Sequence, residues 1–308
     1  MGSHSKLPEE LLTLLKEGER LRSQYYRGRF APSPSGPLHL GNLRTALVSW
    51  LRARLRGGEW LLRIDDLDTP RNRSGALESI QKDLSWLGLN WDGPIILQSK
   101  RRKLYESVLL ALKQQGKLYP CRCSRRLLGN RNGLNDGDGS NIYPGTCREL
   151  GLPWDATDGR LPSLRLRVGK KFSNTSGDVL VRRADGFIAY HLASVSDELF
   201  LGINEVVRGE DLAKALTSQL AVIDALKQKP IAFLHTPLFL GTDGIKLSKR
   251  QGGEAAMSTH AEFMNAENLI GFLAATLDLV PQGSELSALE LLSELRNNQG
   301  SIDTVLTA

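Results

Sequence analysis

The chain has 308 residues, 41% of them hydrophobic, and a formal net charge of +6, which supports one large core or two smaller ones and argues against disorder. No run of about 18 apolar residues and no signal-like leader is present, so a membrane span and secretion are not expected and a cytoplasmic setting is. The basic balance favours a polyanionic partner, and three cysteines, Cys121, Cys123 and Cys147, favour reduced thiols or a metal site over a disulfide framework.

Residues 1–5 are set aside as a segment outside the fold. Residues 8–22 carry Leu11, Leu12, Leu15 and Leu21 among charged side chains, the pattern of an amphipathic helix in an N-terminal appendage spanning residues 1–27. From Gly28 the pattern predicts a short strand, a Pro/Ser/Gly loop, a helix over 40–56 and a strand over 60–64. Strand, helix, strand is a βαβ unit, which implies a parallel sheet with a ligand crevice at the carboxyl ends of its strands. Helices are predicted over 75–87 and 101–115, closing the first half of a catalytic core at residues 28–118. On the helices over 40–56 and 101–115, Arg52, Arg54, Arg56, Arg101, Arg102 and Lys103 read as solvated faces, with phosphate contact the alternative. An inserted module follows over 119–150, with a Gly/Asn/Asp-rich loop at 129–140. The second half of the core, residues 151–255, carries strands over 164–168 and 179–183, a turn at Ala184, Asp185 and Gly186, and a returning strand over 187–194. A helix over 212–226, a strand over 232–235 and a loop around Lys246 complete it. Helices over 260–295 form a small C-terminal region at 256–308.

Three stretches carry chemistry. His39-Leu40-Gly41-Asn42 sits where a loop enters a helix, and a helix N-terminus offers free N–H groups and a positive dipole to phosphate. Gly41 permits close approach of a nucleotide, and His39 can donate to charge developing on an α-phosphate. Lys246 and Lys249, in Lys246-Leu247-Ser248-Lys249, can neutralise a departing pyrophosphate, the alternative being an exposed basic loop. Cys121-x-Cys123 with Cys147 offers three thiolates, against a reading as unconnected thiols.

Arg29-Phe30-Ala31-Pro32-Ser33-Pro34-Ser35-Gly36, followed at once by His39-Leu40-Gly41-Asn42 and later by the Lys246 loop, resembles the catalytic core of class I aminoacyl-tRNA synthetases of the glutamyl type, over residues 28–250. The resemblance implies an α/β Rossmann nucleotide-binding core with an inserted zinc module. It departs from the family pattern at Asn42, often His, at Arg250, often Ser, and at Asp65, commonly Glu. It further implies that His39, Lys246 and Lys249 are catalytic and that His39, Gly41, Asn42 and Lys249 bind ATP, accompanied by Mg2+. The segment Phe30, Ala31, Pro32 and Ser33 contributes to a glutamate pocket in which Arg29 and Arg208 hold carboxylate, Ser33 and Asp65 lie near the amino group, and Tyr190 lines the wall. Arginine suits this role because its planar fork binds carboxylate bidentately. Glutamine would leave guanidinium charge unpaired, at about 3–5 kcal/mol, or roughly two to three orders of magnitude in affinity. Without the resemblance, Arg208 reads as a local ion pair with Glu210 or Asp211.

Tyr143-x3-Cys147 resembles the zinc module of a shortened branch of this family, one that attaches glutamate to the queuosine base in the anticodon loop of tRNA(Asp). In that branch the ligands to Zn2+ would be Cys121, Cys123, Tyr143 and Cys147. The chain ends roughly sixty residues after Lys249, room for one small helical unit but not for anticodon-reading domains. The expected partners are therefore L-glutamate and queuosine-bearing tRNA(Asp), with no DNA or membrane, acting on a monomer. A truncated glutamyl-tRNA synthetase charging tRNA 3′ ends, and a silent glutamate- or RNA-binding paralogue, remain as alternatives.

Overall fold

Three successive apolar residues, Trp60, Leu61 and Leu62, demand burial on both faces of a sheet, and in the computed structural model they sit inside β2 (Glu59–Ile64) with all three buried. The structure describes residues 7–124, 127–128, 142–157, 159–239, 263–298 and 305. The loop expected at 129–140, the basic loop with Lys246 and Lys249, and Arg250 lie outside them. The chain forms two compact units, one from residues 1–20, 100–202 and 214–231, the other from residues 21–99, 203–213 and 232–308.

The second unit is the βαβ unit with additions. β1 (Arg27–Phe30) runs parallel to β2 in the register Arg27 to Glu59 and Phe30 to Leu62. β2 in turn pairs in parallel with a two-residue β3 (Ile96–Leu97), too short to have been signalled by sequence. The crossover is the helix Leu40–Leu55, here α2. It is buried on almost every side, from Leu43 to Ala53, because β1 and β2 pack on it and so do two later helices, Ala266–Ala275 (α8) and Ala288–Asn297 (α9). Leu47, Trp50, Leu51, Trp60, Leu62, Ile80 and Leu84 meet Leu269, Leu273 and Leu291 in one core. Each such fully buried side chain contributes about 1.5–3 kcal/mol.

Beside β1 lies β7 (Glu205–Gly209), tied to it by Asn204 N–H donating to the Arg27 carbonyl at 2.9 Å. β7 pairs in parallel with β8 (Ala232–Thr236), with Arg208 opposite His235. Arg52, expected on a solvated face, is only 3% exposed. Its Nε and Nη2 each lie 2.5 Å from a Glu205 carboxylate oxygen, and Tyr26 donates to the same carboxylate at 2.6 Å. A cation this deep needs such a partner, which the charge pattern of one helix does not reveal.

In the first unit, α1 (Glu9–Gln24) buries Leu11, Leu15 and Gly18. A Cβ at Gly18 would come 1.9 Å from the Leu199 carbonyl oxygen, so only glycine fits there. The helix Arg102–Gln114 (α4) buries Tyr105, Val108, Leu109 and Leu112 on one face, and Tyr105 donates to the fully buried Asp197 at 2.8 Å. An antiparallel sheet joins β4 (Leu118–Cys121), β5 (Ser163–Leu166) and β6 (Val179–Arg182). The turn at Ala184 to Gly186 is present, with Gly186 at φ 87°, and Arg183 N–H donates to the Phe187 carbonyl at 2.9 Å. The returning strand expected over 187–194 is corrected: from Tyr190 the chain is the helix Tyr190–Phe200 (α6). Leu192, Val195 and Leu199 recur at helical spacing on its buried side, which outweighs the brief alternation that suggested a strand. Among the described residues no helix is long and apolar enough to cross a membrane.

Candidate active site

The carboxyl ends of β1 and β7 and the N-terminus of α2 come together in the second unit. His39 is the N-cap of α2, and its Nδ1 accepts from Asn42 N–H at 3.3 Å while the Asn42 side chain accepts from the His39 N–H at 3.4 Å. An imidazole whose Nδ1 accepts carries its proton on Nε2, so the cap itself leaves His39 as an Nε2–H donor. A Cβ built on Gly41 would stand 3.1 Å from His39 Cε1, which shows that the ring lies against the bare face of that glycine. Asn42, expected at ATP, thus also holds the helix entrance. Thr45 donates to the Gly41 carbonyl at 2.9 Å and lies 2.9 Å from the Thr236 hydroxyl, linking α2 to β8.

Arg29 and Arg208 are both buried, near the ends of adjacent strands. Arg29 Nη1 donates to the Val207 carbonyl at 3.0 Å, drawing its guanidinium towards the strand that carries Arg208. Arg208 Nε donates to His235 Nε2 at 3.0 Å, and its Cζ lies 4.9 Å from the centre of the Phe233 ring. Burial and the Arg208 cation hold His235 below the usual imidazole range, Glu210 opposing them weakly, so the ring is neutral at pH 7 with its proton on Nδ1. His235 is a residue that the sequence reading missed. The parallel register that sets it opposite Arg208 was its only signal.

Phe30 is buried and stacked on Trp60 with ring centres 6.2 Å apart, while Pro32 accepts from Asp65 N–H at 3.0 Å and Pro34 from Arg73 N–H at 2.8 Å, fixing the loop through Ala31. Ser33 is exposed on that loop. Asp65 is gripped by the buried Arg63, whose Nε and Nη2 lie 2.8 and 3.3 Å from its two oxygens. Asp66 accepts from the Ser99 N–H and hydroxyl at 2.7 and 2.6 Å, so it anchors a turn. Tyr190 belongs to the first unit, where it opens α6 and is 36% exposed.

Also in the first unit, the sulfurs of Cys121, Cys123 and Cys147 all lie within 4.8 Å of one another. Tyr143 Oη is 3.4 Å from the Cys121 sulfur and 3.6 Å from that of Cys123, and the Cys123 and Cys147 sulfurs are 3.5 Å apart. A tetrahedral zinc centre with usual bond lengths has sulfur–oxygen edges of about 3.5 Å and sulfur–sulfur edges of about 3.8 Å, close to the three separations of 3.4, 3.6 and 3.5 Å found here. Burial alone would raise the Cys121 thiol, but hydrogen bonds from Tyr143 and the Cys123 backbone, with the Arg165 cation, hold it down to about 7. Cys123 is pushed up to about 11, by burial first.

Comparison with known proteins decides the family. The sequence model for the catalytic domain of class I tRNA synthetases (E and Q) matches residues 26–279. A glutamyl-Q tRNA(Asp) synthetase of Prochlorococcus marinus (strain MIT 9313) is 58% identical over 307 residues, 99% of each chain. The chain belongs to the glutamyl-Q tRNA(Asp) synthetase family. Another member, from Parasynechococcus marenigrum (strain WH8102), is 56% identical over 94% of this chain and 96% of its own. The solved glutamate tRNA ligase of Elizabethkingia meningosepticum, in complex with its amino acid, superposes with a TM-score of 0.71 at 26% identity. The match covers 87% of this chain and 64% of the ligase, so this family member spans less than two thirds of that structure and shares its class I synthetase α/β fold.

Proposed function

We propose that this enzyme activates L-glutamate with ATP, releasing pyrophosphate, and passes the glutamyl group to a hydroxyl of the queuosine cyclopentenediol in the anticodon loop of tRNA(Asp). The observation that carries the amino-acid half is the pair of buried guanidiniums, Arg29 and Arg208, set by backbone and imidazole contacts at the ends of two adjacent strands. Two buried cations on adjacent strands suit a dicarboxylic amino acid and reject its amide. The tRNA(Asp) synthetases that match this chain over 94–99% of its length support the acceptor.

In this reading a glutamate carboxylate oxygen attacks the α-phosphorus, the bond to the bridging oxygen breaks, and pyrophosphate leaves. His39 Nε2–H donates to the charge gathering on the α-phosphate beside the N-terminus of α2, and the bare Gly41 lets the His39 ring lie close against that helix entrance, where the nucleotide binds. Lys246 and Lys249 neutralise the leaving pyrophosphate, and Mg2+ accompanies the nucleotide. The queuosine hydroxyl then attacks the activated carbonyl, giving an ester and AMP. Ser33 and Asp65 face the ammonium, Asp65 held in place by Arg63. Cys121, Cys123, Tyr143 and Cys147 would hold one Zn2+, which would cross-link the segment around 119–150.

Labelled glutamate, ATP and Mg2+ offered to tRNA(Asp) with and without queuosine, and to tRNA(Glu), test the whole reading. Label is expected on queuosine-bearing tRNA(Asp) alone. Label confined to tRNA(Glu) restores an ordinary glutamyl-tRNA synthetase, and no label anywhere leaves a binding protein.

His235 gives a second expected result. Removing its acceptor by His235→Leu takes away a charge-assisted hydrogen bond of about 1.5–3 kcal/mol, so the glutamate KM in pyrophosphate exchange rises about ten- to a hundredfold. In the wild type the same bond is lost as acid protonates Nε2. Because the folded pKa lies below the ordinary value of about 6.5, KM holds at neutral pH and climbs as the pH falls below about 6.5. His235→Gln, whose amide oxygen accepts without titrating, keeps a low KM and flattens that rise. A KM unmoved by either variant removes His235 from the pocket.

A further inference from the structure

Arg165 lies in the middle of β5 with 9% of its surface exposed. Its Cζ sits 3.6 Å from the centre of the Tyr143 ring, and its Nη1 donates to the backbone carbonyl of Asp178 at 2.8 Å. Its Nε is buried and has no hydrogen-bond partner among the described residues. The carboxylate of Asp178 does not serve it. One oxygen of that carboxylate accepts from Arg148 Nη1 at 2.6 Å and from Val168 N–H at 2.9 Å, and the other accepts from the Tyr119 hydroxyl at 2.7 Å. No other ion pair to Arg165 is present among the described residues. A buried guanidinium whose partners are one neutral carbonyl and the Cys121 sulfur, with no carboxylate, is costly unless that sulfur is ionised, because a cation taken from water needs an anion close by. It also faces the ring of Tyr143, whose oxygen lies 3.4 and 3.6 Å from the Cys121 and Cys123 sulfurs and accepts from the Cys147 backbone N–H at 2.8 Å.

We infer that Arg165 is the built-in counter-ion of an anionic metal site, holding the Tyr143 ring in place and offsetting the excess negative charge of the loaded ligand set. This inference rests on the zinc reading above. Binding a divalent ion transfers the protons of three thiols and one phenol to solvent, and the resulting Cys3Tyr centre carries a net charge of −2. One fixed guanidinium against the face of the phenolate ring brings the local total to −1. Zinc-ligating groups are oriented by such neighbours, whose loss typically weakens metal affinity about 10- to 100-fold. Arginine is suited to the place because its plane can lie flat on the ring and its charge persists at every pH at which the protein folds. Arg167, two residues along, is a natural control: it stacks on Tyr119 at 4.8 Å rather than on Tyr143, and it pairs with the exposed Glu149 at 2.8 Å.

The test is Zn2+ affinity of the full chain by competition with a chromophoric chelator, paired with the visible spectrum of Co2+-substituted protein. Arg165→Met is expected to raise the Zn2+ Kd about 10- to 100-fold and to shift the cobalt absorption bands, while Arg167→Met leaves both unchanged. Arg165→Lys, which keeps a charge without the flat plane, is expected to fall between, and it carries the test should the methionine variant fold poorly. Equal Kd values in wild type, Arg165→Met and Arg165→Lys overturn the counter-ion role while leaving the zinc site standing. A wild-type protein that takes up neither Zn2+ nor Co2+ overturns both, and so separates the two failures.

Discussion

Arg208→Met is expected to lower kcat/KM for glutamate in pyrophosphate exchange by roughly two to three orders of magnitude. The side chain is 4% exposed, and its guanidinium is fixed on one side by His235 Nε2 at 3.0 Å and on another by the Phe233 ring. Methionine fills much of the same volume, so the loss is one of charge and fork geometry rather than of packing. A glutamate side chain bound there would face a buried position without its cation, and breaking a buried pair costs about 3–5 kcal/mol. Arg208→Lys retains a point charge but neither the fork nor the stack, and should recover only part of the activity. With glutamine as competitor, the methionine variant should also lose most of its discrimination, because the penalty on the amide came from the cation it lacks. A loss smaller than tenfold, or a change confined to the KM for ATP, would count against this placement of the amino acid.

The second large effect concerns stability. Glu205→Leu should destabilise the second unit by about 3–5 kcal/mol, read as a drop in the urea midpoint followed by tryptophan fluorescence. The substitution strips the carboxylate from Arg52, which is 3% exposed and is then left with neutral partners, the carbonyl of Val305 and the Tyr26 hydroxyl. It also frees the Tyr26 hydroxyl, whose proton is held firmly by burial and by Glu205. Glu205→Gln, which keeps the shape and one acceptor, should cost less. Burial alone would raise the Glu205 carboxyl, but the Arg52 and Tyr26 hydrogen bonds outweigh it and lower its pKa. A depressed carboxylate contributes stability that is present above the unfolded value of about 4.3 and is lost as pH falls through the folded value. The wild type should therefore lose more stability than Glu205→Gln on acidification below about pH 4.3.

Much of the scaffold was legible because its signals are local. The helix expected over 40–56 ends one residue sooner, and the strand expected over 60–64 begins one residue earlier. His39 could be placed at a helix entrance because loop residues and an apolar run meet there. What escaped depends on pairing between distant segments. Nothing in Val206-Val207-Arg208 names His235 as a neighbour; the parallel register of β7 and β8 does. Arg52 reads as surface on its own helix and is buried because Glu205 waits in another strand. The strand expected over 187–194 failed for a different reason: a hairpin turn is a strong short-range signal, and it masked the helical spacing that takes over three residues later. The grip of Arg63 on Asp65, by contrast, was within reach, since two residues of opposite charge at i and i+2 at the end of a strand face the same side.

The salt link between Arg52 and Glu205 spans 153 residues of sequence, and the unit it belongs to is assembled from three separated stretches of chain. On a ribosome adding about 5–20 residues per second, Glu205 emerges roughly 8–30 s after Arg52. For that interval the nascent strand at Arg27–Phe30 has no β7 to lie beside, and the cation of Arg52 has no carboxylate. The stretch 100–202, most of the first unit, is made meanwhile and contains its own antiparallel sheet and thiol cluster. Synthesis thus yields most of the first unit before the half-built second unit receives its remaining strands, and ribosome pausing between codons 99 and 203 would prolong the exposure of β1 and β2 to chaperones and to aggregation.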